Sequence, residues 1–523
     1  MNRVELTSSD LARIQAHGLD VAEVEKQVGI FEKGAPYVNL DRPCTVGDGI
    51  KRLSDPDLAE YIRMYEHAAG RREVTKFVPA SGAATRMFRA LLKIANDHEK
   101  IEYDAIAALA GKKDGDYAEV RTFMDNIERF AFYESLRSRM KYDGYNLEEL
   151  RRKGDFTQII DYVLTDKGLG YASKPKGLIQ FHKDKSGART AFEEHLVEAA
   201  AYVKDRKGIC RLHFTVSPEH RAGFEGLLRR VEGDYESANG IKYDVDFSEQ
   251  SMSTDTIAVD MENRPFRDPE GNLVFRPGGH GALIGNLNRL AGDVIFIKNV
   301  DNVVPDRLKD ETHRWKKVLG GYLVMIEEKI REMLDRIAGE DAGQSDIEAA
   351  AAFVKNELCI GMPEHLENAP PEEQRPFLKE RLQRPLRVCG MVPSTGEPGG
   401  GPFWVKDREG GTSIQIVENA QIDPGDPDQQ AILKRLTHFN PVDIVASVRE
   451  RSGNPYDLHQ YVDHEAVFIS VKSRDGRDLK ALEHPGLWNG GMAKWNTIFV
   501  EVPLITFNPV KTVNDLLRDE HQG

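Results

Sequence analysis

The sequence predicts an α/β protein built on a mainly parallel, mixed sheet. From Lys174 to Asn302, short apolar runs alternate with helix-period segments. GLIQFH, ICRLHFTVS, YDVDFSEQ, NLVFR and DVIFIKNV read as strands, and EEHLVEAAAYVKD, PEHRAGFEGLLRRVEG and ALIGNLNRLA read as helices. Such alternation implies βαβ units whose sheet is covered on both faces. A second observation is VTKFVPA, a short strand, followed by the small-residue turn SGAATR and the helix-like MFRALLKIAND. The third is composition: 523 residues, 40% hydrophobic and 30% charged, suit a globular enzyme with sizeable cores.

The remaining elements follow in order. Residues 1 to about 70 have helix-period apolar positions in DLARIQAHGLDVAEVEKQVGIFEKG and DPDLAEYIRMYEHAAG, which predicts a polar, helical N-terminal region. A core is expected over 71–305, interrupted at about 97–170 by a helical insertion that contains TFMDNIERFAFYESLRSRM and DFTQIIDYVLT. A helical segment is expected over 306–385, with WKKVLGGYLVMIEEKIREMLDRIAG and a loop at EDAGQSD. In 386–523 the core resumes. LRVCGMV, FWVKD and SIQIVENAQI read as strands around the loop GEPGGGP, followed by IVASVRE, AVFISVKS and TIFVEVPLITF.

Charge and cysteine usage narrow the function. A net charge of -14 argues against a non-specific nucleic-acid binder, which needs a basic face. Cys44, Cys210, Cys359 and Cys389 have no paired spacing, so neither a zinc site nor a disulfide framework is expected. No apolar leader and no membrane-length apolar run is present, which predicts a cytoplasmic protein without a membrane partner.

Four stretches carry residue types suited to phosphate chemistry. PASGAATRMF follows a strand and precedes a helix; small residues admit a ligand to the backbone, a helix start offers N–H groups, and Arg86 adds a bidentate phosphate contact. A tight turn with a surface arginine is the plainer alternative, and neither a P-loop nor a GxGxxG ending is present. In SKPKGLIQF, Lys176 follows a rigid proline and suits charge neutralisation at a transferred phosphoryl group; two solvated lysines, Lys174 and Lys176, are the alternative. RPGGHGAL places Gly278, Gly279 and Gly281 around His280, a pattern that allows close approach of a base or sugar. About 20 residues on, Asp301 closes an apolar strand, where a carboxylate faces a ligand crevice and suits Mg²⁺. A capping aspartate and a turn histidine would explain the same letters. In TFNPVKTVNDLL, Lys511 follows Pro509 between a strand and a helix; Gln250, Glu418 and Asn419 sit at strand ends.

Taken in order, these pieces resemble the UDP-sugar pyrophosphorylases, a nucleotidyltransferase family. ASGAATRM matches the family's glycine-rich loop, PKG its lysine motif, TAFEEHL and TVSPEH two later segments, and FSEQ its F-x-Q. RPGGHGAL, KNVDN, VENAQI and FNPVKTVNDLL match the motifs that follow. The resemblance covers roughly 74–90, 174–305 and 385–517. Ser81 and Ala84 replace loop glycines, and Ala282 stands where the family has aspartate. About 90 residues separate Arg86 from Lys176, where the family has a short link, and this implies an inserted helical subdomain. The chain also resembles a bacterial family known only as a domain of unknown function.

The resemblance implies a GT-A/Rossmann-like nucleotidyltransferase core. Its activity would be Mg²⁺-dependent formation of an NDP-sugar, a UDP-sugar with UTP as substrate, and pyrophosphate from NTP and a sugar 1-phosphate. Ala80, Ser81 and Gly82 would hold the nucleotide, with Arg86 on its β- and γ-phosphates. Lys176 would stabilise charge at the α-phosphate, Lys511 would contact the phosphates, and Asp301 would bind Mg²⁺. Gln250 and Gly279 would read uracil, while His280, Asn299, Glu418 and Asn419 would approach the sugar. An NDP-sugar-using glycosyltransferase and a non-catalytic nucleotide-sugar binder are the alternatives, because fold alone does not choose among them.

Overall fold

The computed structural model describes residues 6–82, 84–111, 115–184, 187–290, 292–339, 342–396, 399–406, 410–474 and 476–523. Ala83 of the first loop, Ala291 of ALIGNLNRLA, Glu340 and Asp341 of EDAGQSD, Glu397 and Pro398 of GEPGGGP, and Asp407 of FWVKD lie outside the described residues. The fold is mixed α/β, with a large, mainly parallel sheet and many helices. The chain divides into two compact units: Met1–Thr75 with Ser248–Ile297 and Lys317–Pro503, and Lys76–Phe247 with Lys298–Lys316 and Leu504–Gly523. Among the described residues, no helix is long and apolar enough to cross a membrane.

In the first unit the main strands run in the order Thr45–Val46, Gly49–Lys51, Asn496–Glu501, Leu386–Pro393, His438–Ser447 and Val294–Lys298, the last leaving the unit after Ile297. Leu386–Pro393 is parallel to Asn496–Glu501 (Val388 opposite Ile498) and antiparallel to His438–Ser447 (Val388 opposite Val445). Its residues are buried on both faces up to Val392, which is why LRVCGMV reads as one apolar run rather than an alternation. Residues from Lys317 onward continue the helix Asp306–Arg336. There Gly320 and Gly321 are required by contact: a Cβ at either would meet Tyr65 Cδ2 at 2.4 Å or the Tyr61 carbonyl oxygen at 1.8 Å, on the helix Asp55–Ala69.

Two expectations change in this unit. The region 1–70 is not wholly helical: Leu40–Pro43, Thr45–Val46 and Gly49–Lys51 are strands. Their pairing comes from distant partners, Leu40 with Val405 and Ile50 with Phe499, which local periodicity does not report. NLVFR does not enter the parallel sheet either. Phe275–Pro277 pairs antiparallel with Asp255–Val259, in a four-stranded sheet completed by Arg477–Glu483 and Phe468–Arg474. The intervening Asp268–Gly271 turn folds the chain straight back, so no crossover helix forms. The helices Ser8–Ala16 and Val21–Lys33 cover this sheet, with Ile14, Val24, Val28 and Phe31 packed on Ile257, Val259, Leu273 and Leu482.

The second unit holds Ile209–Val216, Lys242–Glu249 as far as Phe247, and Val74–Pro79 from Lys76 on. The helix Ala191–Tyr202 starts at a capping box, Thr190 with Glu193. Pro218–Asn239 starts with proline in its first turn and stops at left-handed Gly240. GLIQFH again departs from expectation: Gln180–Asp184 forms a separate antiparallel ribbon with Gly187–Thr190, tied by the Gly187 N–H donating to Asp184.

The stretch read as an insertion holds helices from Tyr103–Ala110 to Thr157–Leu164. Phe123, Phe130, Phe132, Ile159 and Ile160 form its buried heart. The same core takes in Ala84, Met87 and Phe88 from the first loop, Ile179 from beyond PKG, Val303 from beyond KNVDN, and Val510 and Val513 from the last motif. Four segments distant in sequence thus share one apolar anchor. Ala84 contributes a fully buried methyl there.

Candidate functional site

The second unit holds PASGAATRMF, PKG, Asp301 and the last motif. The strand ending at Pro79 delivers Ala80, which is buried, its N–H donating to the Thr215 carbonyl at 2.8 Å. Ser81 and Gly82 follow at the surface, and among the described residues their N–H groups have no hydrogen-bond partner. A Cβ at Gly82 would meet nothing within 4 Å, so its backbone lies open to a ligand. The turn is held to the PKG segment twice: Lys176 N–H donates to the Gly82 carbonyl at 3.4 Å and Ala84 N–H to the Lys174 carbonyl at 3.0 Å.

The helix start differs from expectation. Ala84–Arg86 is a single 3₁₀ turn, and the α-helix begins at Arg89. The Met87 and Phe88 N–H groups both donate to the Ala84 carbonyl, so they do not face a ligand. Arg86 is exposed, with no ion-pair partner among the described residues.

Lys176 opens a short 3₁₀ turn after Pro175, whose φ is -73°. Gly177 is needed for packing, because a Cβ there would meet the Phe224 ring at 2.7 Å. The Lys176 ammonium lies 2.6 Å from Asp301 Oδ2 and donates to the Val510 carbonyl at 2.6 Å. Both members of the ion pair are mostly buried, 16% and 19% exposed, so the pair resists screening more than a surface pair does. Lys174 stands apart, over the Tyr171 ring, and burial lowers its pKa.

Asp301 and the last motif are laced by backbone. Val510 N–H donates to the Asp301 carbonyl at 3.3 Å. Buried Asn302 accepts from Asn508 N–H at 2.9 Å and donates to the Thr506 carbonyl at 3.4 Å. Asn299 is half-buried in the turn, its carbonyl accepting from Asn302 N–H at 3.3 Å. Lys511 is exposed, and its N–H shares the Asp515 carboxylate with that of Thr512, both at 2.7 Å.

Behind this surface lies a buried charge network that motif reading missed. Glu198 binds Lys76 at 2.9 Å through one oxygen and Lys298 at 2.8 Å through the other. Lys76 and Glu198 are 0% exposed. Burial opposes the charge on Glu198, but the Lys298 and Lys76 ammoniums outweigh it and hold the carboxyl well below the usual range. Burial pulls Lys76 down to about 7. Lys76 also donates to the His195 carbonyl, and His195 Nε2 donates to the carbonyl of Val300, the residue before Asp301. The available signal was a lysine inside each apolar strand, VTKFVPA and VIFIKNV.

Three buried histidines of this unit make its stability acid-sensitive. Burial holds His195 well below 6.5, His313 at about 4 and His521 at about 2, the last helped by His182 and Arg518. The unfolded chain therefore binds more protons than the native one once the pH falls below about 6.5. Stability is full above that value and is lost as pH falls toward the folded-state pKa values, by up to about 1.4 kcal/mol per pH unit for each histidine. Thermal unfolding followed from pH 7 to pH 4.5 is expected to show a midpoint that falls steadily; a flat midpoint would contradict the burial of these rings as neutral groups.

The first unit carries the other expected residues. His280 Nδ1 accepts from the Leu487 N–H at 3.0 Å, which leaves the proton on Nε2, 3.4 Å from Glu418 Oε1. Its ring stacks on Trp488 at 4.3 Å between centroids. Gly279 has φ +76° and faces Glu483, whose carboxylate a Cβ would meet at 2.8 Å. At Gly281 a Cβ would meet the Pro485 carbonyl oxygen at 2.2 Å, and at Gly278 the His484 ring at 2.3 Å. The glycines thus admit the segment 483–485, an internal reason for the spacing. Asn419 is exposed beyond Glu418. The Gln250 amide nitrogen is buried with no hydrogen-bond partner. No hydrogen bond joins it to His280 or Glu418 among the described residues.

Among solved structures, the chain is similar to the uridine diphosphate N-acetylglucosamine pyrophosphorylase from Trypanosoma brucei in complex with inhibitor. The identity is 14%, over 98% of this chain and 79% of that one, with a TM-score of 0.46. No curated protein matches. Residues 7–522 match the family described as a domain of unknown function, DUF4301, and the chain belongs to that family.

Proposed function

We propose that the chain is a nucleotidyltransferase on a GT-A/Rossmann-like core, which forms an NDP-sugar and pyrophosphate from an NTP, UTP by preference, and a sugar 1-phosphate. The observation that supports this reading is the Lys176 ammonium, 2.6 Å from both Asp301 Oδ2 and the Val510 carbonyl. It joins three motifs that stand far apart in sequence and that share a chemistry of phosphate and metal.

The sugar phosphate oxygen attacks the α-phosphorus, the bond to the β-phosphate bridging oxygen breaks, and pyrophosphate leaves. The nucleophile is already an anion, so no general base is required. The difficulty is the approach of two polyanions. The Ser81 and Gly82 N–H groups, without a hydrogen-bond partner among the described residues, and Arg86 bind nucleotide phosphates. Lys176 turns from Asp301 toward the α-phosphate, where its charge counts most as negative charge spreads in the transition state. Lys511 contacts the phosphates. Gln250 and Gly279 are proposed as base binders, and His280, Asn299, Glu418 and Asn419 as sugar binders.

Mg²⁺ fits Asp301 in donor chemistry. Among the described residues no group of three or more His, Cys, Asp or Glu could hold a metal, and Mg²⁺ in nucleotide sites takes one or two carboxylates, with phosphate oxygens and water for the rest. When bound, the ion would neutralise the triphosphate. The test is pyrophosphate release from the four NTPs paired with common sugar 1-phosphates, with and without Mg²⁺. Release from one pair is expected, with Asp301→Asn losing the activity or its Mg²⁺ dependence. Binding of a UDP-sugar with no release from any pair would reduce the reading to nucleotide-sugar binding, and a normal Mg²⁺ titration in Asp301→Asn would remove Asp301 as ligand.

A further inference from the structure

We propose that the first unit has a separate binding site for an organic phosphate of the nucleotide class, in a cavity of about 590 Å³. That volume lies within the range of small-molecule sites. Five arginines line it against three acids, a local cationic surplus in a chain of net charge -14. The floor is built from internal pairs. Glu327 holds Arg72 and the Ser447 hydroxyl, and Asp293 pairs with Arg449 at 2.6 Å. These groups define the shape and stay with their partners.

Two of the other three arginines are available. Arg331 is exposed and has no ion-pair partner among the described residues. Arg451 pairs with Asp335, but both are about half exposed, 52% and 53%. Such a surface pair holds weakly, and a phosphate dianion competes well for planar guanidiniums through two hydrogen bonds at once. Arg384 is only 11% exposed and stays with Glu380, to which it donates twice. The phosphate end of the ligand is therefore assigned to Arg331 and Arg451.

The body of the ligand follows from the rest of the lining. Tyr456 and Tyr461 meet edge to face, ring centroids 5.5 Å apart at 81°, and Tyr461 is steadied by its hydroxyl donating to the Gln383 carbonyl at 3.4 Å. Leucines and Ile330 complete an apolar side. Aromatic and apolar walls beside arginines suit a planar base joined to phosphate better than a bare inorganic anion. None of these residues belongs to the proposed catalytic set, so the site stands whether or not that reading does.

The experiment is calorimetric titration of the full chain with ATP, UTP and inorganic pyrophosphate. Three proteins are compared: the natural chain, Lys176→Ala, and Arg331→Ala/Arg451→Ala, whose changes fall on exposed side chains. Lys176→Ala, which changes UTP binding little, is expected to bind nucleotide much as the natural chain does. The double arginine variant is expected to lose at least about tenfold in affinity at one site, the loss of one or two charge-assisted hydrogen bonds. Nucleotide binding that is unchanged in the double variant would overturn the proposal, as would no binding of any probe to the natural chain. Pyrophosphate bound as tightly as ATP would overturn the aromatic part of the assignment.

Discussion

Lys176→Ala is expected to lower the rate of pyrophosphate release at least about a hundredfold, while UTP binding changes far less. The lysine is held close to its place by Pro175, by the Gly82 carbonyl and by the packed Gly177. A preorganised cation of this kind gains most from charge that develops in the transition state, and its removal typically costs two to three powers of ten. The variant also leaves the Asp301 carboxylate, 19% exposed, without its partner. A modest fall in melting temperature should accompany the kinetic loss. Circular dichroism separates the two effects, because a folded variant with normal turnover would remove Lys176 from the mechanism.

Glu198→Gln is expected to destabilise the second unit by about 3–5 kcal/mol, the cost of stranding a buried charge when one partner of an ion pair is removed. Here two ammoniums are stranded, on Lys76 and Lys298. The loss should be smaller at pH 9 than at pH 7. Lys76 already sits at about 7 because of burial, and shedding its proton becomes easier as pH rises. Urea denaturation at both values checks magnitude and sign. Replacing Lys76, Glu198 and Lys298 together by Met should recover much of the loss, since an apolar core of similar volume is often no less stable than a buried pair. A single-variant loss under about 1 kcal/mol would mean that the network carries little charge.

The sheet strands were legible where both faces are buried, because such runs are apolar throughout. LRVCGMV and VIFIK are examples. The short strands at 40–51 were not, since their order comes from Val405 and Phe499, hundreds of residues away. GLIQFH and NLVFR carried a correct strand signal and a wrong partner. A strand's letters report its burial, whereas the hairpin geometry that steals it from the parallel sheet depends on the adjoining turn.

The site divides in the same way. The sequence by itself determined an α/β chain, and it singled out the lysine and aspartate that the structure pairs, because small-residue turns and strand-end charges are local features. Only the tertiary structure decided that Lys176 pairs with Asp301 across 125 positions, that Gly278–Gly281 admit residues 483–485, and that one glutamate holds two buried lysines. Charge pairing and close backbone approach are set by distances in space, and no window along the chain contains both partners.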